Sequence, residues 1–189
     1  MTYILQPNGT LLDANGLPFA AAEVSDLDIA VPHLLPHVIP FVMPKGQVLG
    51  LRAIYSSHCW TEGYDPAQHV PTPMIFRDGR KARVFNQQRF DDSKGLAELL
   101  SGLAERRVYW TPSDRNFGVY NATAIVDGVA YTAFFTLTKE RGRVDGVRYH
   151  LTMGVESAYR AEQPSAGMKL KAAAAVDAAM NGRRLVYRR

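Results

Sequence analysis

The sequence is almost free of cysteine, since Cys59 is the only one among its 189 residues. An internal disulfide is therefore excluded, and a structural zinc site would need more than one thiol. A chain of this length buries roughly two-thirds of the surface that it exposes when unfolded, so it needs no cross-link to fold. A single thiol is typical of a reducing compartment, and we expect a cytoplasmic protein.

Long apolar runs are also missing. The longest apolar stretch, residues 29–43, is interrupted by Pro32, Pro36 and Pro40, whereas a membrane-spanning helix needs about 20 consecutive apolar residues. The first residues have no basic segment followed by an apolar one, as a secretory signal would. We expect no membrane partner. Because proline removes a backbone donor, residues 31–44 are predicted to be extended or irregular.

Motifs that hold cofactors are absent too. The chain has no Walker-type phosphate loop, no Gly-x-Gly-x-x-Gly, no Gly-x-Ser-x-Gly and no His-Glu-x-x-His. His33 and His37 have the spacing of metal ligands on a helix, but Pro36 between them is incompatible with that helix. Neither a cofactor nor a metal is predicted.

What the sequence does contain is a clear helix-and-strand pattern between residues 92 and 160. A helix is predicted from Asp92 or Ser93 to about Arg106, with its leucines on one face. Two later segments alternate apolar and polar residues, as strands of a half-buried antiparallel sheet do. The predicted strands are residues 108–110, 117–126, 129–138 and 147–159, with a basic loop at 139–146.

The predicted fold class is therefore α+β, an antiparallel β-meander packed by one or two helices, in a single domain of residues 1–189. Residues 1–45 are predicted to form a hairpin and a Pro-rich wrap, and Asp78-Gly79 marks a second hairpin. The alanine-rich residues 168–180 predict a terminal helix inside a basic C-terminal segment, residues 165–189.

Positive charge is concentrated in two places. The net charge is +4, yet residues 165–189 hold six basic residues and one acid, so the rest of the chain is close to neutral. Residues 77–89 form a second basic cluster. Clustered cations favour a polyanion such as RNA or another nucleic acid, and a solvated surface without a partner is the alternative. The predicted nucleic-acid contacts are Arg77, Arg80, Lys81, Arg83, Arg183 and Arg184.

The polar face of the last predicted strand carries candidate chemistry. Arg148, His150 and Glu156 occupy positions of the same parity and should point away from the apolar side. Histidine and glutamate form a usable acid–base pair for phosphodiester cleavage, with arginine holding the phosphate. A solvated polar face is the alternative.

His58 and Cys59 end an earlier predicted strand. Cys59 could pair with His69 or His150 as a nucleophile, but neighbouring strand residues point to opposite faces, which separates it from His58. The alternative is a buried and chemically inert Cys59. His58 lies among hydroxyl side chains and is the stronger candidate.

The C-terminal part of the chain resembles a known arrangement of small nucleases. A helix and a four-stranded meander that ends in Glu156-Ser157-Ala158-Tyr159 is similar to the barnase–EndoU–colicin–RelE group. Members of that group are metal-independent RNases, often toxins or cargo of mobile elements. Ser57-His58-Cys59-Trp60, Arg89-Phe90 and Ser157-Ala158-Tyr159 also resemble segments of uncharacterised bacterial proteins from plasmids and prophages.

The resemblance implies roles for three residues. His58 would be the acid or base, Arg89 a phosphate clamp, and Tyr159 an orienting or proton-donating group. By strand alternation, however, Tyr159 should share the apolar face with Val155, unless the strand bends near Gly154.

Two functions remain open from the sequence. The first is a metal-independent RNase of the mobile-element or toxin type. The second is a non-catalytic regulator or inhibitor from a bacterial mobile element, which binds a protein partner or nucleic acid, because no complete catalytic set is evident. The catalytic residues predicted for the first function are His58, Arg89, His150, Glu156 and Tyr159.

Overall fold

Within the described residues the fold has two β-sheets and three α-helices, and the predicted α+β class is confirmed. The structure is a computed structural model. It describes residues 2–5, 11–12, 18–19, 31–65, 67–68, 75–78, 81–111, 119–160 and 167–183. For residues 2–5, 11–12, 18–19 and 75–78 it describes the backbone and not the side chains.

The strands and helices of the described residues have the following bounds. The strands are β1 Thr2–Leu5, β2 Leu11–Leu12, β3 Pro18–Phe19, β4 His37–Val42, β5 Val48–Tyr55, β6 Thr61–Gly63, β7 Ile75–Asp78, β8 Lys81–Phe85, β9 Arg107–Thr111, β10 Val119–Val126, β11 Val129–Val144, β12 Val147–Arg160 and β13 Met168–Lys171. The helices are α1 Gln87–Ser93, α2 Leu96–Ser101 and α3 Ala172–Met180, with 3-10 helices at Pro32–Leu34, Ser57–Cys59 and Gly102–Glu105.

The larger sheet has seven strands in the order β13-β9-β10-β11-β12-β5-β4. Strands β9 to β12 form the predicted antiparallel meander, with Ala133 of β11 opposite Ala122 and Ala158 of its two neighbours. Strand β5 then pairs with β12 in parallel, and Leu51 lies beside Leu151. The sheet is therefore mixed and mostly antiparallel, because β5 and β12 run parallel while the other strand pairs given for it are antiparallel.

One face of this sheet is the main core. Alternate residues of the strands are buried there, as period-two alternation predicts. Helices α2 and α3 and the 3-10 helix Gly102–Glu105 cover that face. The predicted leucine stripe is confirmed, since all four of its members are buried in the core. These are Leu96, Leu99, Leu100 and Leu103. The opposite side of the sheet is called the outer face below.

The helix predicted from residue 92 to about residue 106 begins earlier and is interrupted. Asn86 caps α1 by accepting a hydrogen bond from the Arg89 backbone N–H at 2.8 Å. The helix ends at Ser93, and α2 starts only after Gly95. Asp92 is therefore not a cap, and its side chain is free for the ion pair described below.

Two further predictions about element boundaries are wrong. The basic segment 139–146 is not a loop, because β11 continues to Val144 and turns tightly through Asp145 and Gly146, both with positive φ. The terminal helix starts at Ala172 instead of residue 168, because Met168–Lys171 pairs with β9 as an edge strand.

The smaller sheet has the order β3-β2-β1-β7-β8-β6 and contains both predicted hairpins. Strand β1 pairs antiparallel with β2, and β7 pairs antiparallel with β8 with Asp78 opposite Lys81. The 3-10 helix Ser57–Cys59 connects the two sheets, since it follows β5 of the larger sheet and precedes β6 of the smaller one.

The Pro-rich segment is extended, as predicted, where it forms the edge strand β4. Met43 N–H donates to the Gln47 carbonyl, so every second residue of β4 counted from Met43 bonds to β5. The residues between them, Val38, Pro40 and Val42, direct their backbone groups away from the sheet. Proline at the middle outward position removes the N–H that another strand would need. In the part of the chain that the structure describes, no helix is long and apolar enough to cross a membrane.

Candidate nucleic-acid interface

Arg89 contacts residues around the C-terminal end of β12. Its Nη1 donates to the carbonyl oxygens of His58 at 3.3 Å and Thr61 at 3.0 Å. Its guanidinium carbon lies 5.3 Å from the ring centroid of Tyr159, within range of a cation–π contact. Three of the predicted catalytic residues, His58, Arg89 and Tyr159, are thus neighbours, and we call this group the Arg89 cluster.

Tyr159 reaches this cluster because of a β-bulge. Phe134 pairs with Ser157 whereas the next residue of β11, Phe135, pairs with Val155, so Glu156 is an extra residue on β12. One extra residue moves the following side chains to the other face. The expectation that Tyr159 shares the apolar face with Val155 is therefore wrong, and Tyr159 lies on the outer face, where its ring stacks on Phe134 at 5.2 Å.

Glu156 itself is exposed at the bulge, next to the Arg89 cluster. Its backbone carbonyl accepts a hydrogen bond from the Ser56 hydroxyl, and Thr136 Oγ1 lies 3.5 Å from its carboxylate. Ser56 also caps the 3-10 helix that carries His58, since its Oγ accepts from the His58 backbone N–H at 3.1 Å. Glu156 and His58 are therefore held at the same end of the sheet through Ser56.

Cys59 is fully buried beside this cluster. Burial raises the pKa of the Cys59 thiol to about 12, and its Sγ faces the Val155 carbonyl at 3.9 Å. A thiol with that pKa is protonated at neutral pH and is a poor nucleophile. The geometry supports the inert alternative for Cys59, and His69, its other suggested partner, lies outside the described residues.

His150 lies far from the Arg89 cluster. Glu156 is six positions further along the extended strand, which is about 20 Å. Its Nδ1 accepts a hydrogen bond from the Gly50 backbone N–H at 3.0 Å, so the ring proton of the neutral form is on Nε2. A Cβ at Gly50 would lie 2.3 Å from the Arg148 carbonyl oxygen, so this contact depends on glycine. The five predicted catalytic residues therefore do not converge on one site.

His150 belongs instead to a second group at the far end of β11 and β12, which we call the basic hairpin, residues 139–150. Arg143 lies directly opposite Arg148 across the two strands. Like charges in facing positions destabilise a sheet. A groove at this tip is lined by Arg141, Gly142, Arg143, Arg148, Tyr149 and His150.

The base of the basic hairpin is held by a polar network around Glu140. Its carboxylate accepts hydrogen bonds from Thr152 at 2.6 Å and from Tyr149 at 3.2 Å, and pairs with Arg52 at 3.2 Å. The hydrogen bond from Thr152, helped by Tyr149 and the Arg52 charge, lowers the pKa of Glu140. Because Arg52 neutralises this acid, Glu140 does not offset the charge of the arginines at the tip.

Tyr149 is buried but lies apart from the main core cluster. Its ring packs against Gly142, where a Cβ would come within 2.6 Å of the phenol oxygen. The Arg52 guanidinium lies 5.4 Å from the centroid of the same ring. These contacts fix the position of the strand that carries Arg148 and His150.

Of the six predicted nucleic-acid contacts, the structure describes the side chains of Arg83 and Arg183. Arg83 is buried, and its guanidinium donates to Thr61 at 2.6 Å and 2.8 Å. Its predicted role on a basic surface is therefore wrong, because the cation is used inside the protein. Arg183 pairs with Asp177 after α3. For Arg77 and Lys81 the structure describes the strand backbone and not the side chain. Arg80 and Arg184 lie outside the described residues.

Within the described residues, no group of three or more His, Cys, Asp or Glu side chains is placed to hold a metal ion. His33 and His37 are used separately. His33 Nε2 contacts Ser93 Oγ at 2.7 Å, and the His37 ring stacks on Tyr55.

Sequence reasoning missed two of the arginines at the hairpin tip and the pairing of the third. Arg148 was a candidate phosphate contact on the last predicted strand, whereas Arg141 and Arg143 lay in a predicted basic loop. The signal that could have found the pairing is the Asp145-Gly146 turn signature within that segment. That signature places residues 143 and 148 opposite each other.

The protein is thus of the α+β class, with a mixed seven-stranded sheet. The Arg89 cluster lies at one end of β12, and the basic hairpin lies at the other. The chain belongs to the YjaZ family, whose model matches residues 22–180. No curated protein and no solved structure matches the chain.

Proposed function

We propose that the protein binds single-stranded nucleic acid, RNA in particular, through the basic hairpin and without cleaving it. The observation that carries the proposal is the facing pair Arg143 and Arg148 beside a groove that also includes Arg141. A phosphate between two facing guanidinium groups would convert their repulsion into two charge-assisted contacts. The proposal keeps the expected cytoplasmic location and the role of a mobile-element regulator.

The lining of the groove favours a nucleotide chain over a simple anion. His150 stands beside the arginines and is only partly buried, which gives an aromatic ring next to positive charge. Proteins that bind single strands combine these two features, because the cations follow the phosphates while the rings contact the bases. Among the described residues, none of the three arginines forms an ion pair.

The test is a salt titration of RNA binding. Anisotropy of a labelled 12-nucleotide RNA is measured for the wild type and for the triple variant Arg141→Gln, Arg143→Gln, Arg148→Gln. If these arginines contact phosphates, the slope of log affinity against log salt falls by about two, since each contact in single strands contributes roughly 0.7. Equal slopes for both proteins would overturn the proposal.

A matched control removes the same charge elsewhere. Arg107 and Lys171 also face each other across two strands, at the other edge of the sheet, and Lys94 is an exposed cation on the loop after α1. The triple variant Arg107→Gln, Lys171→Gln, Lys94→Gln should keep the wild-type slope. A slope that drops equally in this control would mean that net charge alone drives binding.

A second candidate function is the metal-independent RNase, centred on the Arg89 cluster. The observation in its favour is that Arg89 joins the backbone of His58 to the ring of Tyr159, with Glu156 nearby. His58 would act as the acid or base and Arg89 would hold the phosphate. His150 has no part in this version, because it lies at the other end of β12.

The nuclease is tested by incubating the protein with total RNA in the presence of EDTA. Cleavage by the wild type and none by His58→Ala would support it. This variant keeps the backbone carbonyl of His58, which is the group that accepts the hydrogen bond from Arg89. His37→Ala is the matched control and should cleave like the wild type. Intact RNA with every protein would leave binding as the function.

A further inference from the structure

We infer that the outer face of the sheet carries a nucleobase-binding site at Asn121, between the rings of Tyr109 and Phe134. Asn121 of β10 is directly opposite Tyr109 of β9 on one side and Phe134 of β11 on the other. Facing residues of antiparallel strands project from the same side of a sheet. The amide therefore stands between two aromatic side chains.

The Asn121 side chain is fully buried, and neither its Nδ2 nor its Oδ1 has a hydrogen-bond partner among the described residues. Buried polar groups in native proteins are nearly always paired, because an unpaired amide has lost its water without compensation. An amide offers one donor beside one acceptor. The matching ligand edge has one acceptor beside one donor, as the N7 and N6 atoms of adenine do.

The two aromatic residues start far enough apart on the sheet for a flat ligand to fit between their rings once the rings move aside. Two strand spacings separate Tyr109 from Phe134, which is about 10 Å. A base between them would lie at a stacking distance of about 5 Å from each ring centroid, with its edge directed down to Asn121. Tyr109 and Phe134 are only half-buried, so the base can enter from the outer face when the rings move apart.

The far side of each ring is already occupied. Phe134 stacks on Tyr159, and the Lys169 ammonium lies 5.7 Å from the Tyr109 centroid. Both partners lie on the strands away from Asn121, at β12 and β13. The ring faces toward Asn121 are therefore the ones left for a ligand.

Cations stand at both ends of this row. Lys169 borders Tyr109, and Arg89 borders Tyr159. A nucleotide whose base is held at Asn121 can direct its phosphate toward either cation. The inference deepens the proposed function and rests on it, since it assigns the recognition of an unpaired adenine base to the sheet while the basic hairpin holds the backbone.

The experiment titrates the full chain with adenosine 5′-monophosphate by calorimetry. We expect Asn121→Leu to weaken binding at least tenfold. Purine riboside 5′-monophosphate, which lacks the N6 amino group, should bind the wild type about tenfold more weakly than the adenine nucleotide and should bind Asn121→Leu equally weakly. Thr136→Val, on the same face but outside the row, should bind like the wild type.

A thermal melt separates this role from a structural one. If Asn121 serves a ligand, the apolar Leu variant keeps or raises the Tm, because a buried unpaired amide is removed; a lowered Tm with unchanged affinity would overturn the inference. Should Asn121→Leu not fold, Tyr109→Leu replaces it and should weaken binding tenfold through lost stacking.

The two proposals fail in different ways. Absence of adenine-nucleotide binding by the wild type at millimolar concentration overturns the Asn121 site, even when the salt slope of RNA binding still depends on the basic hairpin. Nucleotide binding that survives in the triple hairpin variant, together with an unchanged salt slope, would instead overturn the hairpin and keep the base site.

Discussion

The two ends of β12 hold arginines in opposite electrostatic surroundings. At the end near Arg89, Arg160 makes a bidentate pair with Asp92 and also reaches Asp127. At the basic hairpin, Arg143 and Arg148 face each other, and neither forms an ion pair among the described residues. One strand therefore carries both paired and unpaired cations.

The difference separates charge that builds the fold from charge that is left for a ligand. A buried carboxylate such as Asp92 requires a cation, because the charge has lost its water. The hairpin tip has no such carboxylate among the residues described, and its cations stay exposed. A count of positive residues cannot distinguish the two cases, whereas their partners can.

The largest effect is expected from removing the carboxylate of Asp92 at the end of β12 where Arg160 is paired, called the paired end below. Asp92→Asn leaves Arg160 without its main partner at a site where Asp92 is buried. We expect the free energy of unfolding to fall by about 3 kcal/mol. Urea unfolding followed by tryptophan fluorescence measures the loss.

The neighbouring Asp91 provides the control. It is exposed, and it pairs with Lys94 on the surface of α1. Asp91→Asn should leave the unfolding midpoint unchanged, since exposed ion pairs add little to stability. If both variants were equally stable, the paired end would not depend on the buried carboxylate, and the contrast between the two ends would be lost.

A smaller change reverses the sign at the hairpin. Arg148→Glu places a carboxylate opposite Arg143, so the repulsive facing pair becomes an attractive one. We expect stability to rise by about 0.5 kcal/mol, while RNA affinity at low salt falls at least tenfold. Urea unfolding and anisotropy are measured on the same preparation.

The facing pair Arg107 and Lys171, on strands β9 and β13, provides the control for this variant. Arg107→Glu, opposite Lys171, should also add stability but should leave RNA affinity nearly unchanged. Stability gained in both variants with affinity lost only at position 148 would single out the hairpin. Equal loss of affinity in both would contradict the assignment of the binding surface.

Local pattern was enough to predict much of this fold. The meander, both hairpins and the leucine stripe follow from alternation, turn residues and helical spacing, because each depends on neighbours in sequence. The parallel pairing of Leu51 with Leu151 could not be predicted in this way, because it joins segments 100 residues apart. The strand Met168–Lys171 also depends on a distant partner, which overrides its helical composition.

The candidate sites show the same division. His58, Arg89 and Tyr159 were selected from short motifs and are neighbours in the structure. The bulge at Glu156 that brings Tyr159 to the outer face adds one residue that alternation does not reveal. Asn121 belongs to no motif. Its environment exists only once three strands are aligned.

A smaller effect is expected from the protonation of His33, which makes the stability of the protein depend on pH. His33 Nε2–H donates to Ser93 Oγ, because the Ser93 hydroxyl donates to the Phe90 carbonyl. Burial, followed by the charge of Lys94, lowers the pKa of His33 from its ordinary 6.5. The unfolded chain therefore binds this proton more tightly than the folded one, so stability is complete above pH 6.5 and falls as the pH drops through that value. Urea midpoints between pH 8 and pH 5 measure this slope, which should flatten in His33→Gln and persist in His37→Gln. If the urea midpoint of His33→Gln still depended on pH, another group would be responsible, and His33 would not make the stability of the paired end depend on pH.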